Sequence, residues 1–105
     1  MALKIFWTEF AEKELKEIFN YYHEKANYQV AKNLIDGIYN ATLKLAAQPE
    51  IGQIEELLIA RKEGFRYLVF KSYKIIYWVN SQKKWIEVSD VFDTRQNPHK
   101  MKWNK

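Results

Sequence analysis

The sequence predicts an α+β fold in the order strand–helix–helix–strand–strand–strand, a helical hairpin packed on a small, mainly antiparallel sheet. Two segments with apolar residues at helical spacing come first. Three segments near the C-terminus then alternate with a period of two, joined by tight turns around Ser72 and Ser81-Gln82-Lys83. A short alternating stretch at the N-terminus supplies the remaining strand.

Leu3 to Trp7 reads as that strand, with Leu3, Ile5 and Trp7 set against Lys4 and Phe6. Thr8 is placed to cap a helix whose first turn holds Glu9 and Glu12, where the helix dipole favours negative charge. Ala11, Leu15, Ile18, Tyr22 and Ala26 form its apolar stripe, reinforced by Phe19. Asn27 and Tyr28 mark the turn. Ala31, Leu34, Ile35, Ile38, Thr42 and Leu45 form the second stripe, which Pro49 and Gly52 end. Gly37 lies within it at a cost of about 1 kcal/mol relative to alanine, which close packing would offset.

Residues 50–63 carry no clear period, and Ile54 to Ile59 reads either as a short edge strand or as an irregular turn. Phe65–Lys71, Tyr73–Asn80 and Lys84–Phe92 are the three later strands. Tyr73, Ile75, Tyr77 and Val79 alternate cleanly, while Lys74, Ile76, Trp78 and Asn80 are mixed, as expected for a sheet covered on one side. Ile86 and Val88 change phase at Val91-Phe92, which predicts a bulge in the last strand.

A chain of 105 residues fits one domain. The boundary is expected at 98, with 99–105 as a basic C-terminal tail. No cysteine is present, so disulfides, thiol nucleophiles and thiolate metal sites are excluded. His23 and His99 stand far apart, with no spacing that would ligate zinc, so no metal and no cofactor is expected. The N-terminus lacks a run long enough for a signal peptide, and no segment is apolar enough to span a bilayer, so no membrane partner is expected.

Charge is unevenly placed. Residues 1–60 hold six Lys/Arg against nine Asp/Glu; residues 61–105 hold eleven against four, giving the net +4 of the chain. The strand-rich half is the basic half, suited to nucleic acid, an acidic protein segment or a ribosomal surface.

Several stretches carry a resemblance. They are Leu15-Lys16-Glu17-Ile18 through Tyr21-Tyr22, Pro49 to Gly52, Gly64-Phe65-Arg66-Tyr67-Leu68-Val69, Tyr73-Lys74-Ile75-Ile76-Tyr77 and Asp93-Thr94-Arg95-Gln96-Asn97-Pro98. In this order, from Leu3 to Pro98, the chain resembles the RelE/ParE superfamily, the toxin halves of bacterial type II toxin–antitoxin modules. The Asp-Thr-Arg-Gln-Asn-Pro ending is more similar to the ParE-like branch.

That resemblance implies a cytoplasmic toxin held in a hetero-oligomer by a cognate antitoxin. RelE-like members cut messenger RNA on the ribosome; ParE-like members poison DNA gyrase without a recognised hydrolytic site. One fold carries both activities, so the fold does not choose between them. RNA cleavage through the 2′-hydroxyl needs a base, cations around the phosphate and an acid for the leaving oxygen. Arg66 matches the superfamily's strand arginine, and Arg95 the arginine just after the last strand. The terminal Tyr or His is not matched, since Asn97-Pro98 intervenes before His99. The expectation is a stoichiometric gyrase inhibitor. The alternatives are a ribosome-dependent endonuclease with Arg66 and Arg95 as phosphate clamps, and a non-toxic basic interaction module.

Target-binding candidates are Arg66, Lys71, Lys74, Arg95 and Trp103. Arg66 either pairs with Glu87 or Asp90 across strands or offers its fork to a phosphate or carboxylate. Arg95 has Asp93 as a local partner. Lys71, Lys74, Lys83 and Lys84 read as a solvated edge that steers an anionic partner. Trp103, among lysines beyond the last strand, suits anchoring on a protein target.

Overall fold

A computed structural model describes residues 3–95 and bears out the α+β class. Strand β1 (Lys4–Trp7) leads to helices α1 (Glu9–Lys25) and α2 (Tyr28–Leu43). Four further strands follow, β2 (Gln53–Ile54), β3 (Arg66–Phe70), β4 (Tyr73–Asn80) and β5 (Trp85–Asp93). The sheet order is β1-β5-β4-β3-β2. The β1–β5 pairing is parallel and the others antiparallel.

Both helices begin on caps. Thr8 Oγ1 accepts the Ala11 amide at 3.1 Å, and Asn27 Oδ1 accepts the Val30 amide at 2.9 Å. Each satisfies a backbone donor that the first helical turn leaves unpartnered. The turn between helices is therefore shorter than expected: Asn27 caps α2 and Tyr28 already belongs to it. A single 3-10 turn, Lys44–Ala46, extends α2, and its Ala46 carbonyl accepts the Leu3 amide at 2.9 Å.

The helical stripes pack on one face of the sheet. Ala11, Leu15, Leu34 and Ile38 meet Tyr73, Ile75 and Tyr77 of β4 and Ile86, Val88 and Val91 of β5. Gly37 permits this approach, since a Cβ there would lie 2.3 Å from the tip of the Phe70 ring. The anticipated bulge is present. Ile76 faces Asp90 while Tyr77 faces Val88, leaving Ser89 as the extra residue. The insertion returns Val91 to the helix side, which accounts for the change of phase.

The opposite face is not simply open to water, contrary to expectation. Residues 55–65 fold back across it, so that Leu58 and Phe65 bury Ile76 completely, with Tyr67, Trp78 and Phe92 around them. The stretch without period thus contains the two-residue strand β2, a 3-10 turn at Glu56–Leu58 and a patch of second core.

Candidate functional site

Arg66 opens β3 directly opposite Tyr77, so both side chains lie in the helix-side row. Its guanidinium reaches neither Glu87 nor Asp90. Nη1 donates to the Gly52 carbonyl at 2.9 Å and to the Glu50 carbonyl at 3.3 Å. The Tyr77 hydroxyl sits beside it, donating to the Pro49 carbonyl at 2.8 Å and accepting the Gly52 amide at 2.9 Å. A Cβ on Gly52 would lie 2.5 Å from that hydroxyl, so the turn closes only around glycine. Burial raises the ionisation of Tyr77 above its ordinary range. Arg66 and Tyr77 together fasten Pro49–Gly52 to the sheet.

Lys74 lies on the opposite face and is not a solvated edge residue. Its ammonium bonds Glu55 Oε1 at 2.8 Å and stands 4.1 Å from the centre of the Tyr67 ring. Glu55 is buried and Lys74 half-buried, so the pair is largely shielded from water. Lys71 does remain exposed, in the tight β3–β4 turn, with a left-handed φ of 54°. Lys83 and Lys84 are exposed at the β4–β5 turn, as expected.

At the far end of the sheet Arg95 grips Asp93 with two nitrogens, Nη2 at 2.6 Å from Oδ2 and Nε at 2.9 Å from Oδ1. Asp93 Oδ1 also accepts the Arg95 amide at 2.9 Å, closing the expected turn on its own backbone. The Arg95 guanidinium, first of all, holds Asp93 below the usual carboxylate range. The arginine's own ionisation is raised by Asp93 and, next, by the nearby Tyr22 hydroxyl. The Tyr73 hydroxyl donates to Tyr22 at 3.4 Å, and burial pushes Tyr73 upward as well. Sequence reasoning missed this tyrosine pair, because α1 and β4 meet only in the folded chain.

Among the described residues, Arg66, Lys74 and Arg95 do not share one surface. Arg66 is anchored opposite Tyr77 and Arg95 follows Asp93, which is opposite Tyr73. Four residues of β4 separate these positions, roughly 13 Å along the strand, with two strand spacings, roughly 10 Å, across the sheet. Lys74 is on the other face. His23 is exposed near Phe19 and Tyr28, at ring separations of 5.8 Å and 6.2 Å, in keeping with a surface role. Trp103, His99 and the 99–105 tail lie outside the described residues. Among the described residues no group of three His, Asp or Glu is placed to hold a metal, and no helix is long and apolar enough to cross a membrane.

Solved structures that share the fold include two toxin–antitoxin systems. The chromosomal ParDE toxin–antitoxin system from P. aeruginosa superposes with a TM-score of 0.73 at 19% identity, covering 88% of this chain and 96% of that one. A chain of the toxin–antitoxin complex RelBE2 from Mycobacterium tuberculosis gives a TM-score of 0.55 at 14% identity, covering 89% and 99%. No curated protein matches the chain by sequence. The family model of the ParE toxin of type II toxin–antitoxin systems matches residues 5–98. Spanning nearly every element described above, that match makes the chain a member of the ParE toxin family.

Proposed function

We propose that this chain is the toxin of a cytoplasmic type II module, and that it arrests growth by stoichiometric binding to DNA gyrase. The observation that supports binding over RNA cleavage is the state of the two arginines. A phosphate clamp needs convergent cations, yet Arg66 fastens the Pro49–Gly52 turn and Arg95 is engaged by Asp93 at the opposite corner. Neither fork points to a shared position where a reacting phosphate would sit.

A cognate antitoxin completes the reading, as similar solved structures include toxin–antitoxin systems. Tyr21, Tyr28 and Val30 leave apolar surface on the helical hairpin, and Ile54, Leu57 and Ile59 leave more on the connector. A partner segment that folds on contact would cover both. Co-expression with the adjacent short acidic reading frame is expected to yield a stable complex.

The purified toxin is expected to inhibit gyrase supercoiling in proportion to its concentration, to lose that effect when antitoxin is added, and to leave messenger RNA intact in a translating extract. Codon-dependent cleavage in the ribosomal A site, with supercoiling unaffected, would overturn the proposal in favour of the endonuclease.

A further inference from the structure

On the sheet face away from the helices, at the corner formed by β1 and β5, two aromatic rings stack. Phe6 and Trp85 have centroids 4.5 Å apart and planes inclined by 17°. Phe6 is 39% exposed although it sits in a strand, and β1 is the last strand on that side. One face of the stack therefore looks outward past the sheet edge.

The stack is held rather than loose. Glu87, two residues along β5, accepts the Trp85 indole N–H at 3.3 Å and the Trp78 indole N–H at 3.2 Å. The one carboxylate in this row is thus turned inward to two neutral donors. The cations face out: Lys4 precedes Phe6 by two residues on the same face, and the Lys83 ammonium is 6.0 Å from the centre of the Trp85 ring. Both lysines are exposed.

We infer that the Phe6–Trp85 stack, with Lys4 and Lys83, is a binding platform for single-stranded nucleic acid. A fixed aromatic ring with an open face stacks an unpaired base of any sequence, and cations on either side track the phosphates. A duplex has no free base face to offer, so the geometry selects single strands. The charge fits locally, since Lys4 and Lys83 are exposed beside the rings while Glu87 of the same row is taken up by two indole donors. An apolar protein surface would not call for lysines flanking the rings. The inference does not depend on which target the toxin arrests.

Fluorescence anisotropy of the full chain with a labelled oligothymidylate of roughly twelve nucleotides tests it. Binding is expected, weakening with added salt and stronger than for a duplex of equal length. Phe6→Ala should weaken it about ten-fold, while Phe6→Tyr, which keeps the ring, should bind as the wild type does. Lys4→Ala combined with Lys83→Ala should weaken binding and flatten its salt dependence, and it provides the decisive arm if Phe6→Ala does not fold. Equal affinity for duplex, or binding indifferent to both sets of substitutions, would overturn the platform. So would an absence of oligonucleotide binding together with self-association that Phe6→Ala abolishes, which would mark the corner as a contact between copies of the chain.

Discussion

Single atoms decide much of how this molecule is assembled. A methyl group at position 37 would collide with the Phe70 ring, which lies against the bare α2 backbone. Alanine is favoured over glycine within a helix by about 1 kcal/mol, whereas overpacking costs about 1–3 kcal/mol. Gly37→Ala is therefore expected to lower stability in urea denaturation. The same substitution in a Phe70→Leu background should be neutral or stabilising, because only the helix preference remains. Equal effects in both backgrounds would show that the ring is not what selects glycine. Arg66 resembles the superfamily's strand arginine. Its identity was legible from the sequence, but its partners were not, because they are backbone carbonyls of residues 50 and 52 brought in by the turn after α2.

At the scale of elements, the connector between β2 and β3 is held to the sheet by Leu58, Phe65 and one ion pair. Its buried Glu55 has Lys74 as its charged partner, from the neighbouring sheet face. Lys74→Met leaves that carboxylate without the ammonium, at a cost of about 3 kcal/mol. The connector should loosen with it, read as faster tryptic cleavage at exposed Arg61 and Lys62. Adding Glu55→Gln should recover much of the loss, and an unchanged cleavage rate in the single variant would remove the ion pair from the account. Helices α1 and α2 and strands β3–β5 were legible because each repeats its period several times. The connector was not, since a two-residue strand and a single 3-10 turn are too short to show a period. The β5 bulge was legible as a break in alternation; the facing of Lys74 toward Glu55 was not, because it depends on how residues 55–65 fold back.

Across the whole molecule, tyrosines line the seam between helices and sheet. Tyr39, Tyr73 and Tyr77 all ionise above the ordinary 10.0, with burial as the first cause in each. The unfolded chain therefore releases these protons first as the pH rises. Their contribution to stability is complete below about pH 10 and falls as the pH climbs toward the folded-state values. The urea midpoint should hold to about pH 10 and decline above it, less steeply in Tyr77→Phe, and a flat profile up to about pH 11 would contradict the burial of the three hydroxyls.

The parallel pairing of β1 with β5 joins Lys4 to Trp85 and encloses the rest of the sheet between them in sequence. Such a high contact order makes the closing step of folding wait for the synthesis of β5. While the ribosome is still making β5, the nascent chain can form its helical hairpin but has no partner for its first strand. The toxin fold thus closes only once β5 has been made, and a product stopped before Trp85 would leave β1 without its strand partner.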